Sequence, residues 1–181
     1  MRSYILEGII LSRANLGETD KIITLFTRQL GKVSLKAAGI RKLTSRRAGS
    51  LELFNHVKLA VAKGRGSLDV ITEVSVIHAF PLWRRHLGRV NLAYQLCEVV
   101  DKLTPDHQPH PQVFEILSQA LSQIDKLKTN WQSQINHWLL EILTDLGYWP
   151  EDRQFTGDIY RFIESISQRS LHSPKILARL K

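Results

Sequence analysis

Polar and apolar residues alternate along the first 80 residues with a period of two, and β-branched residues are frequent there. This alternation is typical of strands that bury one face. Glycine interrupts the pattern at Gly17, Gly31 and Gly64, where short hairpin turns are expected. The pattern predicts five consecutive strands, at residues 4–13, 20–29, 32–38, 51–62 and 67–79.

Five short strands in so few residues predict a small closed or partly open barrel, because closure removes the sheet edges that would otherwise template aggregation. An SH3-like barrel is the closest alternative. Only one connection is predicted to be long, namely residues 39–50 between the third and fourth strands. The barrel aromatics Tyr4, Phe26 and Phe54 occupy strand positions, so we expect each to be buried rather than stacked on a ligand.

From Pro81 onward, apolar residues recur every three or four positions, which is typical of amphipathic helices. A proline-rich loop, TPDHQPHP, separates the first two helices, and Asp158 is suited to cap the last one. The predicted helices cover about 87–100, 113–127, 131–146 and 158–167. Strands followed by helices favour an α+β chain of two segregated domains, residues 1–80 and 81–181, over an alternating sheet.

The net charge of +8 is concentrated in the barrel, where residues 1–80 carry thirteen Lys/Arg against six Asp/Glu. No acidic residue lies between Asp20 and Glu52. A field of one sign repels itself and attracts polyanions, which favours a nucleic-acid partner over a merely solubilising face. The predicted DNA-binding residues are Lys21, Lys32, Lys36, Arg41, Lys42, Arg46, Arg47, Lys63 and Arg65.

Catalytic and metal-binding signatures are weak. The Gly31-Lys32 pair lacks the other residues of a phosphate-binding loop, and His107 with His110 lies in a proline-rich loop without enough further ligands. The single cysteine, Cys97, lies on an apolar helix stripe and fits a core position in a reducing compartment. We therefore expect a cytoplasmic protein, not an enzyme, that carries no catalytic residue, metal or cofactor.

The chain resembles the bacterial recombination-mediator family RecO. The similarity rests on a Gly-Glu-x-Asp turn, a Leu-Phe-Thr strand end, a Gly-Lys turn and a Gly-x-Arg loop followed by serine, and it extends over about the first 150 residues. The matching positions are Gly17, Glu18, Asp20, Leu25, Phe26, Thr27, Gly31, Lys32, Gly39, Arg41 and Ser45.

The resemblance implies an OB-fold followed by a helical domain, without catalytic turnover. It also implies binding of single-stranded and double-stranded DNA, annealing of complementary strands, and interaction with the single-stranded-DNA-binding protein. With RecR, such a protein helps to load the RecA recombinase onto coated strands in DNA repair, which suggests association with the nucleoid. Many family members carry a four-cysteine zinc module after a Gly-Tyr-x-Pro segment. This chain has no cysteine after Gly147-Tyr148-Trp149-Pro150, so zinc is not implied.

Two alternatives stay open on the sequence alone. One is an RNA-binding OB-fold accessory protein, and the other is an adaptor that binds a partner protein without contacting DNA. A partner surface for an acidic protein tail is predicted around Trp83, where three arginines are close in sequence, Arg84, Arg85 and Arg89.

Overall fold

A computed structural model of the protein describes residues 3–41, 47–64, 66–128 and 130–174. The chain divides into two compact units. The first comprises the described residues of Met1–Ala79 together with Pro105–Pro111, and the second comprises those of Phe80–Thr104 and Gln112–Lys181. The proline-rich loop, which the sequence pattern assigned to the helical domain, therefore packs with the strands.

The first unit is a five-stranded barrel. Its strands are β1 (Ser3–Leu16), β2 (Asp20–Thr27), β3 (Gly31–Ala37), β4 (His56–Ala62) and β5 (Val70–His78). They close in the order β1-β2-β3-β5-β4, with β3 and β5 parallel and the other neighbours antiparallel. This order identifies an OB-fold and confirms the predicted fold class over the SH3-like alternative.

Alternate side chains of the strands fill the barrel interior, as the period-two pattern requires, although on β5 only Ile71 is buried. On β3, for example, Val33, Leu35 and Ala37 are buried while Ser34 between them is exposed. Phe26 and Phe54 are buried as expected, but Tyr4 is only half-buried.

The fourth strand starts later than predicted. Residues 51–55 form turns, and β4 begins at His56. Phe54 has φ of 68°, a left-handed conformation that a strand does not accommodate, and its N–H donates to the Ile10 carbonyl across 2.9 Å. Leu51 and Phe54 are nevertheless buried, so these apolar residues fill the barrel end from a turn instead of a strand. Burial without strand geometry explains why the hydrophobic pattern was misleading there.

The barrel seam between β3 and β5 is short, because the two strands pair only at Lys36 and Val70. The Lys36 N–H donates to the Asp69 carbonyl at 2.8 Å. At the other end of β3, the proline-rich loop adds a parallel bridge between Lys32 and Asp106, and the His107 N–H donates to the Lys32 carbonyl at 2.9 Å. The loop therefore serves as a short substitute strand along the edge of β3.

The second unit is helical. Its elements are α1 (Leu87–Leu103), α2 (Pro111–Gln123), α3 (Trp131–Asp145) and α4 (Ile159–Ser167), with single 3-10 turns at Trp83–Arg85 and Ile124–Lys126. The Asp158 carboxylate accepts from the N–H groups of Tyr160 and Arg161, which confirms the predicted cap of α4. Cys97 is buried on α1, where burial raises the pKa of its thiol. Among the described residues, no helix has the length and apolar content to cross a bilayer.

We expect Gly31→Ala to destabilise the barrel by about 3 kcal/mol or more, because two effects combine at this position. Gly31 has φ of 67°, and a Cβ there would lie 1.9 Å from the Gln108 carbonyl oxygen, so the substitute strand would have to move. Gly17 is the matched control. Its φ is 62°, but nothing lies within 4 Å of its Cβ position.

Gly17→Ala should therefore lose only about 1 kcal/mol from the left-handed backbone. Urea unfolding followed by far-ultraviolet circular dichroism measures both changes. Equal losses for the two variants would contradict the close packing of the loop on β3.

Candidate nucleic-acid interface

A basic concavity of about 280 Å³ lies where the β1–β2 turn meets the connection from β3 to β4. Its walls include three cations from three different segments of the barrel. The residues that line it include Arg13, Asn15, Lys21, Ile40, Arg41 and Glu52. OB-folds commonly bind nucleic acid on strands 2 and 3 and on the loops that follow strands 1 and 4, and the concavity lies beside the first of these loops.

The three cations of the concavity differ in how far they are already neutralised. Arg13 forms an ion pair with Glu52 at 2.7 Å and donates to the Leu51 carbonyl. Arg41 makes a hydrogen bond through Nη1 to the Gly17 carbonyl at 2.8 Å, which orients the guanidinium without neutralising it. Lys21 has no acidic side chain within ion-pair distance in the described part of the chain. Lys21 and Arg41 therefore supply the uncompensated charge.

Asp20 holds the turn that carries this concavity. Its carboxylate accepts from the Gly39 N–H at 2.8 Å, from the Thr19 hydroxyl at 2.9 Å, and pairs with Lys36 at 2.9 Å. The hydrogen bond from Gly39, followed by those from Lys36 and Thr19, lowers the pKa of Asp20 to about 2. Asp20 thus stays ionised at neutral pH and fixes the loop start next to Arg41.

Arg47 is a structural clamp. Its Nη1 donates to the carbonyls of Ile71 (3.0 Å) and Thr72 (3.4 Å), and its Nη2 donates to the Ala38 carbonyl (2.8 Å). These acceptors lie on β5 and at the end of β3, the two strands that share a single residue pair. The guanidinium therefore supplies hydrogen bonds that the short seam lacks, and this is a different use from the predicted DNA contact.

Three other predicted DNA-binding lysines form ion pairs inside the barrel unit. Lys36 pairs with Asp20, Lys32 with Asp106 at 3.5 Å, and Lys63 with Asp69 at 2.8 Å. Lys63 keeps 61% of its side chain exposed, whereas Lys32 keeps 13%. Lys42, Ser45, Arg46 and Arg65 lie outside the described residues.

Arg13 and Asn15 were missed by the sequence reasoning. Arg13 is the last residue of the first predicted strand, and Asn15 lies on the part of β1 that extends beyond that predicted end. The cross-strand pairs Asn15 with Lys21 and Arg13 with Ile23 bring them to the concavity. The available signal was the hairpin turn at Gly17, since a tight turn forces the strand to continue up to it.

The predicted partner residues separate into buried and exposed groups. Trp83 is only 1% exposed and donates its indole N–H to the Leu121 carbonyl at 3.0 Å, so it belongs to the core of the helical unit and cannot present its ring to a partner. Arg89 pairs with Asp125 at 2.9 Å and lies over the Trp131 ring. Arg85 is exposed, and Arg84 lies over Trp83 with its guanidinium carbon 5.3 Å from the ring centroid.

Among the described residues, no three or more His, Cys, Asp or Glu side chains come together in an arrangement that could hold a metal ion. His137 and Glu141, one helical turn apart, form an exposed pair at 3.6 Å. The observed class is thus an OB-fold barrel with a basic concavity, followed by a helical unit.

Two family models match the chain, "Recombination protein O N terminal" over residues 1–80 and "Recombination protein O C terminal" over residues 84–153. Together they cover most of the chain in the order that the structure shows. The chain belongs to the RecO family.

Curated relatives agree with this assignment. The chain is 35% identical over 150 residues to the "DNA repair protein RecO" of Roseiflexus sp. (strain RS-1), a match that covers 83% of this chain and 52% of the relative. It is 32% identical over 150 residues to that of Symbiobacterium thermophilum, covering 83% and 59%. It is 38% identical over 121 residues to that of Anaeromyxobacter sp. (strain K), covering 66% and 48%. The chain spans about half the length of the curated relatives it matches.

We expect Arg47→Ala to destabilise the barrel by about 2 kcal/mol, because it removes hydrogen bonds from a charged donor to three carbonyls. Arg41→Ala is the charge-matched control and should stay within about 0.5 kcal/mol, since it makes one exposed bond. Urea unfolding measures both. An Arg47→Ala variant as stable as the wild type, yet weaker in DNA binding, would reassign Arg47 from clamp to DNA contact.

Proposed function

We propose that this chain binds single-stranded DNA through the basic concavity of its OB-fold barrel and acts as a recombination mediator in DNA repair. One observation carries the proposal. Lys21 and Arg41, which come from separate segments, line one concavity beside the β1–β2 turn, a loop that OB-folds use for nucleic acids, and neither is paired with a carboxylate among the described residues.

Phosphate oxygens are the natural ligands of this concavity. The Arg41 guanidinium is held at one nitrogen by the Gly17 carbonyl, so its other N–H groups are oriented and available to donate. Lys21 adds a second positive charge, and Asn15 adds an amide donor. Such contacts follow the sugar-phosphate backbone and read no sequence, so binding is dominated by charge and depends on salt.

Membership of the RecO family supports further activities beyond binding of single-stranded DNA. A member of the RecO family would bind double-stranded as well as single-stranded DNA, anneal complementary strands, and help to load RecA onto strands coated by the single-stranded-DNA-binding protein, together with RecR. None of these steps requires covalent chemistry, so the chain acts by binding and not as an enzyme. The relatives are named as DNA repair proteins.

The helical unit offers a surface for the acidic tail of the single-stranded-DNA-binding protein. Leu82 and Leu87 are 69% and 63% exposed on either side of Arg84 and Arg85. A depression of about 390 Å³ is lined by Leu82 and Arg85, and Asp125 also contributes to its wall. Exposed apolar side chains beside arginines favour a ligand that is acidic and ends in apolar residues.

For the DNA proposal, we expect a Lys21→Ala/Arg41→Ala double variant to weaken binding of a single-stranded oligonucleotide and to reduce its salt dependence. Each lost phosphate contact lowers the slope of log affinity against log salt by about 0.7, so the slope should become shallower by about 1.4. Fluorescence anisotropy titrations at four salt concentrations measure it. Annealing of complementary oligonucleotides should slow in parallel.

A Lys58→Ala/Lys128→Ala variant removes the same charge from exposed positions elsewhere and serves as the control. Its slope should match that of the wild type. An unchanged slope in the Lys21/Arg41 variant would remove the concavity as the DNA site. Preferential binding of an RNA of the same sequence in competition would favour an RNA-binding protein instead.

For the partner proposal, an Arg84→Ala/Arg85→Ala variant should bind an acidic tail peptide of the single-stranded-DNA-binding protein about tenfold more weakly, since two charge contacts are lost. Arg89 is left in place because it is used within the helical unit. Lys128→Ala/Arg161→Ala, with two exposed cations of the same unit, is the control. Calorimetry measures both, and equal affinity of the Arg84/Arg85 variant and the wild type would remove this surface.

A further inference from the structure

A larger cavity, of about 850 Å³, opens in the barrel beside β3. Its walls come from the start of β1, from the β2–β3 turn, from β3 and from the loop between β4 and β5. Buried Leu6, Val33 and Leu35 form its floor, and the more exposed Ile5 and Leu30 form part of its rim. Polar residues also contribute to its walls, among them Asp69 and Asp106. The cavity is therefore an opening into the barrel at the incomplete β3–β5 seam, with an apolar floor and mixed walls.

The edge of β3 presents one donor and one acceptor to this cavity. The backbone of Lys36 bonds to Asp69 on that edge, and the carbonyl of Lys32 accepts from His107 on the same edge. Because backbone groups of alternate residues point to the same side of a strand, the N–H and C=O of Ser34 also point there. No backbone hydrogen bond from another described segment reaches either group.

The unpaired stretch is one residue long, because both of its neighbours on this edge are occupied. A bound peptide strand needs several consecutive backbone pairs, so this edge does not suit strand addition. A nucleobase, however, places donors and acceptors side by side on one planar edge and needs only one such backbone pair. The flat faces of a base can also pack against the apolar side chains of the cavity.

One wall of the cavity is an aromatic ring held in a fixed position. The Tyr4 hydroxyl donates to Asp69 at 2.6 Å, and Asp69 also accepts from Lys63 at 2.8 Å and from the Gly64 N–H at 3.2 Å. The Lys63 ammonium lies over the Tyr4 ring, 5.4 Å from its centre, and its exposed side chain would move aside for a base that stacks on that face. The carboxylate is thus neutralised by Lys63 and does not repel a nucleic-acid strand, while the tyrosine ring is oriented at the cavity.

We propose that this cavity binds one unstacked base of a single-stranded nucleic acid, which stacks on Tyr4 and hydrogen-bonds to the backbone of Ser34. The proposal rests on the proposed DNA binding and adds a base subsite to its phosphate contacts. Any base that presents a donor beside an acceptor satisfies Ser34, so the subsite adds affinity with little sequence preference.

The test compares two oligonucleotides of equal length in anisotropy titrations, one of twelve thymidines and one of twelve abasic residues with the same phosphates. Wild-type protein should bind the abasic strand about tenfold more weakly, because stacking of one base on an aromatic ring contributes about that factor. Tyr4→Leu should bind both strands equally, at the level of the wild type with the abasic strand. The salt slope should not change, since the phosphates are retained.

Two control variants separate stacking from structure. Tyr4→Phe keeps the ring and loses only the hydrogen bond to Asp69, so it should still distinguish the two strands. Tyr148→Leu replaces an exposed tyrosine, 41% accessible on the helical unit, and should do so as well. Circular dichroism verifies that each variant is folded.

Equal binding of the two strands by wild-type protein would overturn the base subsite while leaving the phosphate site intact. A preference for thymidine that survives in Tyr4→Leu would also overturn it, because the bases would then be bound elsewhere. If wild-type protein bound neither strand, the proposed function itself would fail, and the subsite with it. Equal binding of the two strands by wild-type protein overturns the subsite even where Tyr4→Leu does not fold.

Discussion

The barrel closes between β3 and β5 through the single pair of Lys36 with Val70, and the candidate interface depends on how the rest of that seam is completed. Backbone N–H and C=O groups that lose water need partners. The Arg47 guanidinium supplies them at one end, through Ala38, Ile71 and Thr72. The proline-rich loop supplies them at the other end, through Lys32. What remains between the two is the cavity beside Ser34.

The distribution of charge follows from the same construction. A sequence rich in lysine and arginine indicates an anionic partner, but it does not say which cations have already been neutralised by the fold. Lys36 and Lys63 hold turn carboxylates in place, and Arg47 holds the seam. Among the described residues, Lys21 and Arg41 share one concavity and neither forms an ion pair with a carboxylate. The proposed DNA site is therefore narrower than the net charge suggests.

Much of the fold could be predicted from the sequence, because strand alternation and helical spacing depend on local burial. The barrel, its strand count, the helices and the Asp158 cap follow from these periodicities. The start of β4 and the roles of Trp83 and Arg47 do not. The turn at residues 51–54 is as rich in apolar residues as a strand, so composition alone does not distinguish the two. The acceptors of Arg47 lie 9 to 25 residues away in sequence, so only the closed barrel shows that they meet.

The two proposed sites on the barrel are close enough for one strand of nucleic acid to contact both. The cavity lies against the middle of β3, around Ser34, and the basic concavity lies just beyond the end of that strand. Three residues of extended chain separate Ser34 from the strand end at Ala37, a distance of about 10 Å. An OB-fold commonly covers about 4–16 nucleotides of a single strand, so this distance falls within one binding footprint. A strand running along β3 would then be held by its phosphates at one end and by a base at the other. Because base and phosphates would be bound separately, the cavity beside β3 and the basic concavity can lie at different places on the barrel.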